Sequence, residues 1–115
     1  MVTGLHIIAG FTVPDTTLLK AHKQWKSFIL PLIQELSLQS VGDVYHDFHN
    51  GGFTAVICLT ESHLSIHTYP EIHYVAFDIY LSNYSKDNSQ ITQQLYINTR
   101  NFFNPTSVNV QFIER

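Results

Sequence analysis

The side chains best suited to chemistry lie in one short stretch, residues 60–71, where hydroxyls, imidazoles and carboxylates follow one another closely. Hydroxyls can act as nucleophiles, imidazoles transfer protons near neutral pH, and carboxylates act as bases or bind hydroxyl groups. Polar and apolar residues alternate over 63–69, so His63, Ser65, His67 and Tyr69 share one face of a predicted strand. Periodicity alone predicts a polar, histidine-rich strand face and no particular reaction.

Ordinary structural roles also fit these residues. Ser62 suits the end of a strand, Thr54 suits a strand interior as a β-branched residue, and Glu71 suits the surface. The spacing of His63 and His67 would place two metal ligands together on a helix, but this segment has the pattern of a strand. Alternating histidines on a strand are more often hydrogen-bonded polar residues, so we predict no metal site.

The run from Glu61 to Glu71 resembles the processing-site signature of prokaryotic S-adenosylmethionine decarboxylases, which usually have tryptophan at the position of Tyr69. The resemblance is thin in the helices, but it continues outside the run at His46, Phe48, Gly52, Thr54, Ala76 and Asp78. It implies one domain over residues 1–115, which cleaves itself into residues 1–61 and 62–115.

Self-cleavage in such a family begins when the Ser62 hydroxyl attacks the Glu61 carbonyl and converts the amide into an ester. Elimination and hydrolysis then leave a pyruvoyl group derived from Ser62, which is the implied cofactor. By resemblance, Thr54 assists processing and His67 handles protons in the elimination. The pyruvoyl carbonyl forms a Schiff base with the substrate amine and accepts the electrons released as CO₂ leaves.

The resemblance implies S-adenosylmethionine as the substrate, decarboxylated for spermidine biosynthesis. Phe48 and Tyr69 are expected to hold the adenine ring between them, and Glu71 to bind the ribose hydroxyls. Where the family returns a proton to the substrate from a cysteine, this chain has Ser82, a much weaker acid than a thiol of pKa about 8.5. Two alternatives therefore stay open: a related pyruvoyl decarboxylase acting on arginine or ornithine, and a non-catalytic homologue that binds a nucleoside.

The elements that would position these residues follow from the hydrophobic pattern. Alternation predicts strands over residues 5–11, 41–49, 63–69, 73–82 and 108–112. The continuous apolar run 53–59 predicts a strand buried on both faces, with Cys58 in the core. Asn50-Gly51-Gly52 predicts a hairpin turn between two of these strands.

Two helices complete the predicted fold. The first is expected to begin at Asp15 as its N-cap, and Pro31 should kink it or end it near Leu30. The second is predicted from Ile91 to Phe102. The order of elements indicates an α+β fold resembling the decarboxylase family, a two-layer sandwich of a mainly antiparallel sheet covered by two helices.

Bulk composition narrows the classes of partner. The 115 residues carry a net charge of −3 and no run of Lys or Arg, which argues against nucleic-acid binding. No apolar stretch approaches the roughly 18 residues that span a bilayer, and the N-terminus lacks the pattern of a signal peptide, so a cytoplasmic protein without a membrane partner is expected. The low charged fraction of 13%, together with the family pattern, predicts a homodimer with its active sites at or near the interface.

Overall fold

The computed structural model describes residues 3–115, which form one six-stranded sheet with two helices on one of its faces. The strands, all paired antiparallel in the order β2-β3-β4-β5-β1-β6, are β1 (Gly4–Thr12), β2 (Ser40–Asp47), β3 (Phe53–Leu59), β4 (Ser62–Tyr69), β5 (Tyr74–Ser82) and β6 (Ser107–Glu114). The helices are α1 (Lys23–Glu35) and α2 (Ser89–Phe103), and two 3₁₀ helices span Thr16–Leu19 and Pro70–Ile72. The predicted α+β two-layer class is confirmed.

The core lies between the helices and one face of the sheet. Successive residues of a strand point to opposite faces, so every second residue of β1, β3, β4 and β5 is buried there. Trp25 of α1 has its ring centroid 6.2 Å from that of Phe53, and Tyr96 of α2 lies 6.2 Å from Phe11. Each large apolar side chain buried in this way stabilises the fold by about 1.5–3 kcal/mol.

Helix α1 begins later than predicted and continues past Pro31. Asp15 caps the 3₁₀ helix Thr16–Leu19 instead of α1, which spans Lys23–Glu35. Of the two effects predicted for Pro31, an end near Leu30 is wrong and a kink stays a prediction. The missing hydrogen bond at a proline costs a helix about 3 kcal/mol. Packing outweighs that cost, because the face of the helix that buries Trp25 and Ile29 before the proline continues into the core at Ile33 beyond it.

Strand β3 is buried on one face only, so the prediction that both of its faces are buried is wrong. The helices cover Phe53, Ala55, Ile57 and Leu59, whereas Val56 on the opposite face is 44% exposed. Cys58 is exposed as well, which corrects its assignment to the core. The face that carries Val56 and Cys58 is called the open face below.

The predicted turn between β2 and β3 is present, and its glycines are required by geometry. Gly51 and Gly52 have φ of +94° and +100°, which side chains of L-residues rarely adopt. A Cβ atom on Gly52 would lie 2.9 Å from the Thr68 carbonyl oxygen and 3.1 Å from Pro70 Cδ. Gly52 therefore lets this turn lie directly against the end of β4.

No helix within residues 3–115 has the length and apolar character needed to cross a membrane.

We expect Gly52→Ala to lower the free energy of unfolding by about 1–3 kcal/mol, because the added methyl meets a carbonyl oxygen at an unfavourable φ. Gly42→Ala is the matched control, since no atom of residues 3–115 lies within 4 Å of its Cβ position. Urea unfolding of proteins in the same covalent state, verified by intact mass, measures both changes. Equal unfolding midpoints for the two variants would contradict the role assigned to Gly52.

Candidate active site

The peptide bond between Glu61 and Ser62 lies at the tip of the β3–β4 hairpin. Leu59 pairs with Ser62, which leaves Thr60 and Glu61 as a two-residue turn. Ser62 has a φ of +134°, a conformation that costs a non-glycine residue about 1–3 kcal/mol. The predicted nucleophile is therefore held in a strained backbone conformation, next to the carbonyl it would attack.

Ser82 meets this peptide through its backbone. The Ser82 N–H donates a hydrogen bond to the Glu61 carbonyl oxygen at 2.8 Å. A donor fixed in this position polarises the carbonyl and remains in place for the negative charge that develops on the oxygen during nucleophilic attack. The structure thus brings Glu61, Ser62 and Ser82 together at one end of the sheet.

Asn88 joins this group, and sequence reasoning missed it. Its fully buried side-chain amide donates to the Glu61 carboxylate and, at 2.8 Å, to the Ser82 carbonyl oxygen. The available signal was an asparagine just before a predicted helix, which is typical of an N-cap. The structure shows no capping hydrogen bond from this side chain, which turns back to the hairpin instead.

Thr54 and His67 form a second group on the open face. A hydrogen bond joins Thr54 Oγ1 to His67 Nδ1, because the two residues are direct cross-strand partners on β3 and β4. The structure does not bring His67 to Ser62 of the same chain. His67 lies five positions after Ser62 in β4, which corresponds to about 16 Å at the rise of a β-strand.

The predicted substrate-binding residues lie near His67 and far from Ser62. Phe48 belongs to the β2–β3 turn, Tyr69 ends β4, and Glu71 lies in the 3₁₀ helix that follows. All three are exposed, Phe48 at 43% and Tyr69 at 39%. Tyr69 lies seven positions after Ser62 in β4, or about 23 Å away at the rise of a β-strand. The candidate residues therefore form two sets at opposite ends of β4.

Asp78 is the centre of a polar cluster on the open face between these two sets. His6 Nε2 and His63 Nε2 lie 2.9 Å and 3.4 Å from Asp78 Oδ2, and the Ser65 hydroxyl donates to the other carboxylate oxygen. Burial raises the pKa of Asp78, but the hydrogen bonds from Ser65 and His6 and the charges of the two imidazoles outweigh it. The pKa of this carboxyl is therefore lowered, and it is ionised at neutral pH.

The same cluster contains the side chains best placed to hold a metal within residues 3–115. One ligand atom each from His6, His63 and Asp78 lies within 4.8 Å of the others. Two imidazoles with one carboxylate can bind transition metals. Here these groups already serve as hydrogen-bond partners for one another, and the absence of a metal site stays a prediction.

A groove of about 330 Å³ crosses the open face beside this cluster. Its floor is made by the small residues Gly10 and Ala76, which are paired across β1 and β5. His67 lines one part of the groove, and Asp78 and Tyr74 line others. The groove therefore connects the Thr54–His67 pair with the polar cluster around Asp78.

Comparison with known proteins supplies independent information on this arrangement. A family model described as S-adenosylmethionine decarboxylase matches residues 5–115. The S-adenosylmethionine decarboxylase proenzyme of Thermoplasma volcanium is 34% identical over 112 residues, which cover 97% of this chain and 83% of that protein. The proenzyme of Picrophilus torridus is 31% identical over 115 residues, covering 100% of this chain and 85% of that protein.

A solved structure has the same fold. The crystal structure of the adenosylmethionine decarboxylase from Aquifex aeolicus matches with a TM-score of 0.87 and 24% sequence identity, covering 99% of this chain and 91% of that chain. This likeness confirms the predicted fold, and the family model and the relatives confirm the predicted family. The chain belongs to the S-adenosylmethionine decarboxylase family.

Proposed function

We propose that the chain is a proenzyme that cleaves itself between Glu61 and Ser62 and then decarboxylates S-adenosylmethionine. The observation that carries the proposal is the strained Ser62 at the hairpin tip, with the preceding carbonyl held by the Ser82 N–H at 2.8 Å. The names of the relatives support the substrate. The products of cleavage would be residues 1–61 and 62–115, which together make up the single proposed domain.

The first step is an N-to-O acyl shift. Ser62 Oγ attacks the Glu61 carbonyl carbon, the C–N bond breaks, and an ester forms while the nitrogen of Ser62 becomes a free amine. The Ser82 N–H stabilises the oxyanion formed on the way. Breaking the peptide bond also releases the strain at Ser62, which favours the ester.

The second step is elimination from the ester. A base takes the Cα proton of Ser62, and the carboxylate of Glu61 leaves as the new C-terminus of the first fragment. The dehydroalanine that remains takes up water and loses ammonia, which produces the pyruvoyl group. We assign the proton transfer to His67, whose ring is oriented by its hydrogen bond to Thr54.

The distance between His67 and Ser62 supports a homodimer in which each site uses both chains. Along one strand they are about 16 Å apart, too far for proton transfer. A two-fold axis through the open face could set one chain's His67 beside the partner's Ser62. The open face is suited to burial because it exposes apolar side chains, namely Ile8, Val44, Val56 and Ile113.

The same dimer would place the substrate-binding residues correctly. Phe48, Tyr69 and Glu71 lie at the His67 end of β4, so they would reach the partner's Ser62 together with His67. In this arrangement Phe48 and Tyr69 stack on the adenine ring and Glu71 accepts hydrogen bonds from the ribose hydroxyls. The pyruvoyl group supplies a carbonyl that accepts the electrons released with CO₂.

Ser82 motivates a second candidate function. It lies beside Ser62, where the resemblance places a proton-donating cysteine, and its hydroxyl is a far weaker acid than a thiol. This replacement of the expected proton donor is the observation that favours, as the second candidate, a related decarboxylase acting on arginine or ornithine. Release of CO₂ from a panel of these amino acids and S-adenosylmethionine distinguishes the two candidates.

The first expected outcome is self-cleavage. Denaturing mass spectrometry of the purified protein should show two fragments that meet between residues 61 and 62, and the second should be blocked to Edman degradation by its pyruvoyl group. Ser62→Ala should remain one chain, because it lacks the nucleophile. A wild-type protein that stays intact after long incubation would favour the non-catalytic, nucleoside-binding alternative.

The second expected outcome is complementation between two inactive variants. Chains with His67→Ala should not process alone, and chains with Ser62→Ala cannot. In mixed dimers the Ser62→Ala chain supplies His67 to the partner's Ser62, so the His67→Ala chain should be cleaved. Isotope labelling of one chain identifies the cut product. If the His67→Ala chain stays intact in the mixture but sedimentation shows a mixed dimer, His67 does not act across the interface.

The third expected outcome concerns proton return in catalysis. Ser82→Cys should raise the turnover number for S-adenosylmethionine, by up to the ~10²–10⁴-fold that a positioned acid contributes. Ser82→Ala is the control, because it keeps the backbone N–H that contacts Glu61. Fast, durable turnover by the wild type that Ser82→Ala leaves unchanged would show that another group returns the proton.

A further inference from the structure

We infer that Asn88 is a positioning residue for self-cleavage, whose side-chain amide fixes the Glu61–Ser62 peptide against Ser82. The inference rests on the proposed cleavage at this bond and assigns a role to a residue outside the sequence motif. Asn88 touches neither the nucleophile nor the scissile carbonyl directly. It acts through the Glu61 side chain and the Ser82 backbone.

Three hydrogen bonds connect these residues in a closed arrangement. One N–H of the Asn88 amide is directed to the Glu61 carboxylate, and the other to the Ser82 carbonyl oxygen at 2.8 Å. The Ser82 N–H in turn donates to the Glu61 carbonyl oxygen at 2.8 Å. Asn88 therefore holds both residues that form the hydrogen bond to the scissile carbonyl.

Asn88 is itself rigidly held. It has no exposed surface, and its backbone N–H donates to Asn83 Oδ1 at 2.9 Å. Its carbonyl oxygen accepts hydrogen bonds from the N–H and the hydroxyl of Thr92, each at 2.9 Å, at the start of α2. These bonds at the start of α2 thus fix the backbone of Asn88, and its side chain extends from there to the hairpin.

The orientation of the amide indicates which contacts the site favours. Asn88 Oδ1 is buried and has no hydrogen-bond partner within residues 3–115. The reverse orientation would set this oxygen against the Glu61 carboxylate and the Ser82 carbonyl, both of which are acceptors. Asn88 Oδ1 therefore stays unpaired while both N–H groups of the same amide donate to the β3–β4 hairpin and Ser82.

The hairpin needs this restraint because its turn is short and strained. Nucleophilic attack requires the hydroxyl to approach the carbonyl carbon at about 3–3.5 Å with the right orientation. Rotation of the Glu61 peptide plane would break its hydrogen bond to the Ser82 N–H and misdirect the carbonyl. Because Asn88 also donates a hydrogen bond to the Glu61 side chain, it opposes that rotation.

Asn88→Asp tests the inference, because it keeps the shape of the side chain and replaces a donor with a second carboxylate facing Glu61. Processing is followed by pulse-chase after cell-free translation, on the folded fraction isolated on a native gel. Cleavage should slow by about tenfold or more at pH 7.5, the effect of losing a charge-assisted hydrogen bond. Relative to the wild type at the same pH, the rate should recover toward about pH 5, since a protonated carboxyl can donate again.

Asn98→Asp is the matched control, because it makes the same chemical change in α2 at an exposed amide, which among the described residues donates only to the Gln94 carbonyl oxygen. It should process like the wild type at every pH. Adding Glu61→Gln to Asn88→Asp should restore part of the cleavage rate at pH 7.5, since the new amide can donate to the carboxylate while the hydrogen bond to the Ser82 carbonyl stays lost. A merely structural role for Asn88 would produce neither the recovery with pH nor this rescue.

Asn88→Ala covers the case in which Asn88→Asp does not fold, and it should also process about tenfold slower. If the wild type is cleaved and both Asn88 variants are cleaved at the rate of Asn98→Asp, the inference is wrong and the proposed function stands. If the wild type is never cleaved, the proposed function fails and the positioning role fails with it.

Discussion

The two faces of the sheet constrain every other feature of this protein. Helices α1 and α2 cover one face, so alternate residues of the central strands are committed either to the core or to the open face. His63, Ser65 and His67 lie on the open face because Leu64, Ile66 and Thr68 are buried beneath the helices. A shift of one residue in the register of β4 would send the imidazoles into the core and expose the apolar residues.

The second constraint is the length of β4. Ser62 and the proposed cleavage bond lie at one end of the strand. The Thr54–His67 pair and the exposed aromatic residues lie at the other end. A rigid strand cannot fold back to join its own ends, so a single chain keeps these two groups apart. The apolar surface of the open face offers a physical reason for two copies to combine them.

Much of the fold could be predicted from the sequence, because alternation and helical spacing report which residues a sheet and a helix bury. Errors arose where local pattern and tertiary context disagreed. The apolar run in β3 suggested burial on both faces, yet Val56 and Cys58 lie on the open one. Pro31 suggested a kink or a helix end, yet α1 continues past it because Ile33 packs in the core. The run from Glu61 to Glu71 could be recognised by its resemblance to a family signature, but the contact of Asn88 with Glu61 joins positions 27 apart that no local pattern connects.

The position of the hairpin has a consequence for how the protein could regain its fold. The Thr60–Glu61 turn links β3 and β4, two interior strands that exchange a continuous ladder of pairs. While the turn is intact, closing this ladder is an intramolecular event with a short loop and a small entropic cost. Once it is cut, the ladder still holds the two pieces together, but a denatured sample would have to reassemble them by collision, at a rate that depends on concentration. Cleavage would thus convert a chain that refolds alone into a complex of two fragments. That complex would keep its native state mainly because the fragments dissociate slowly.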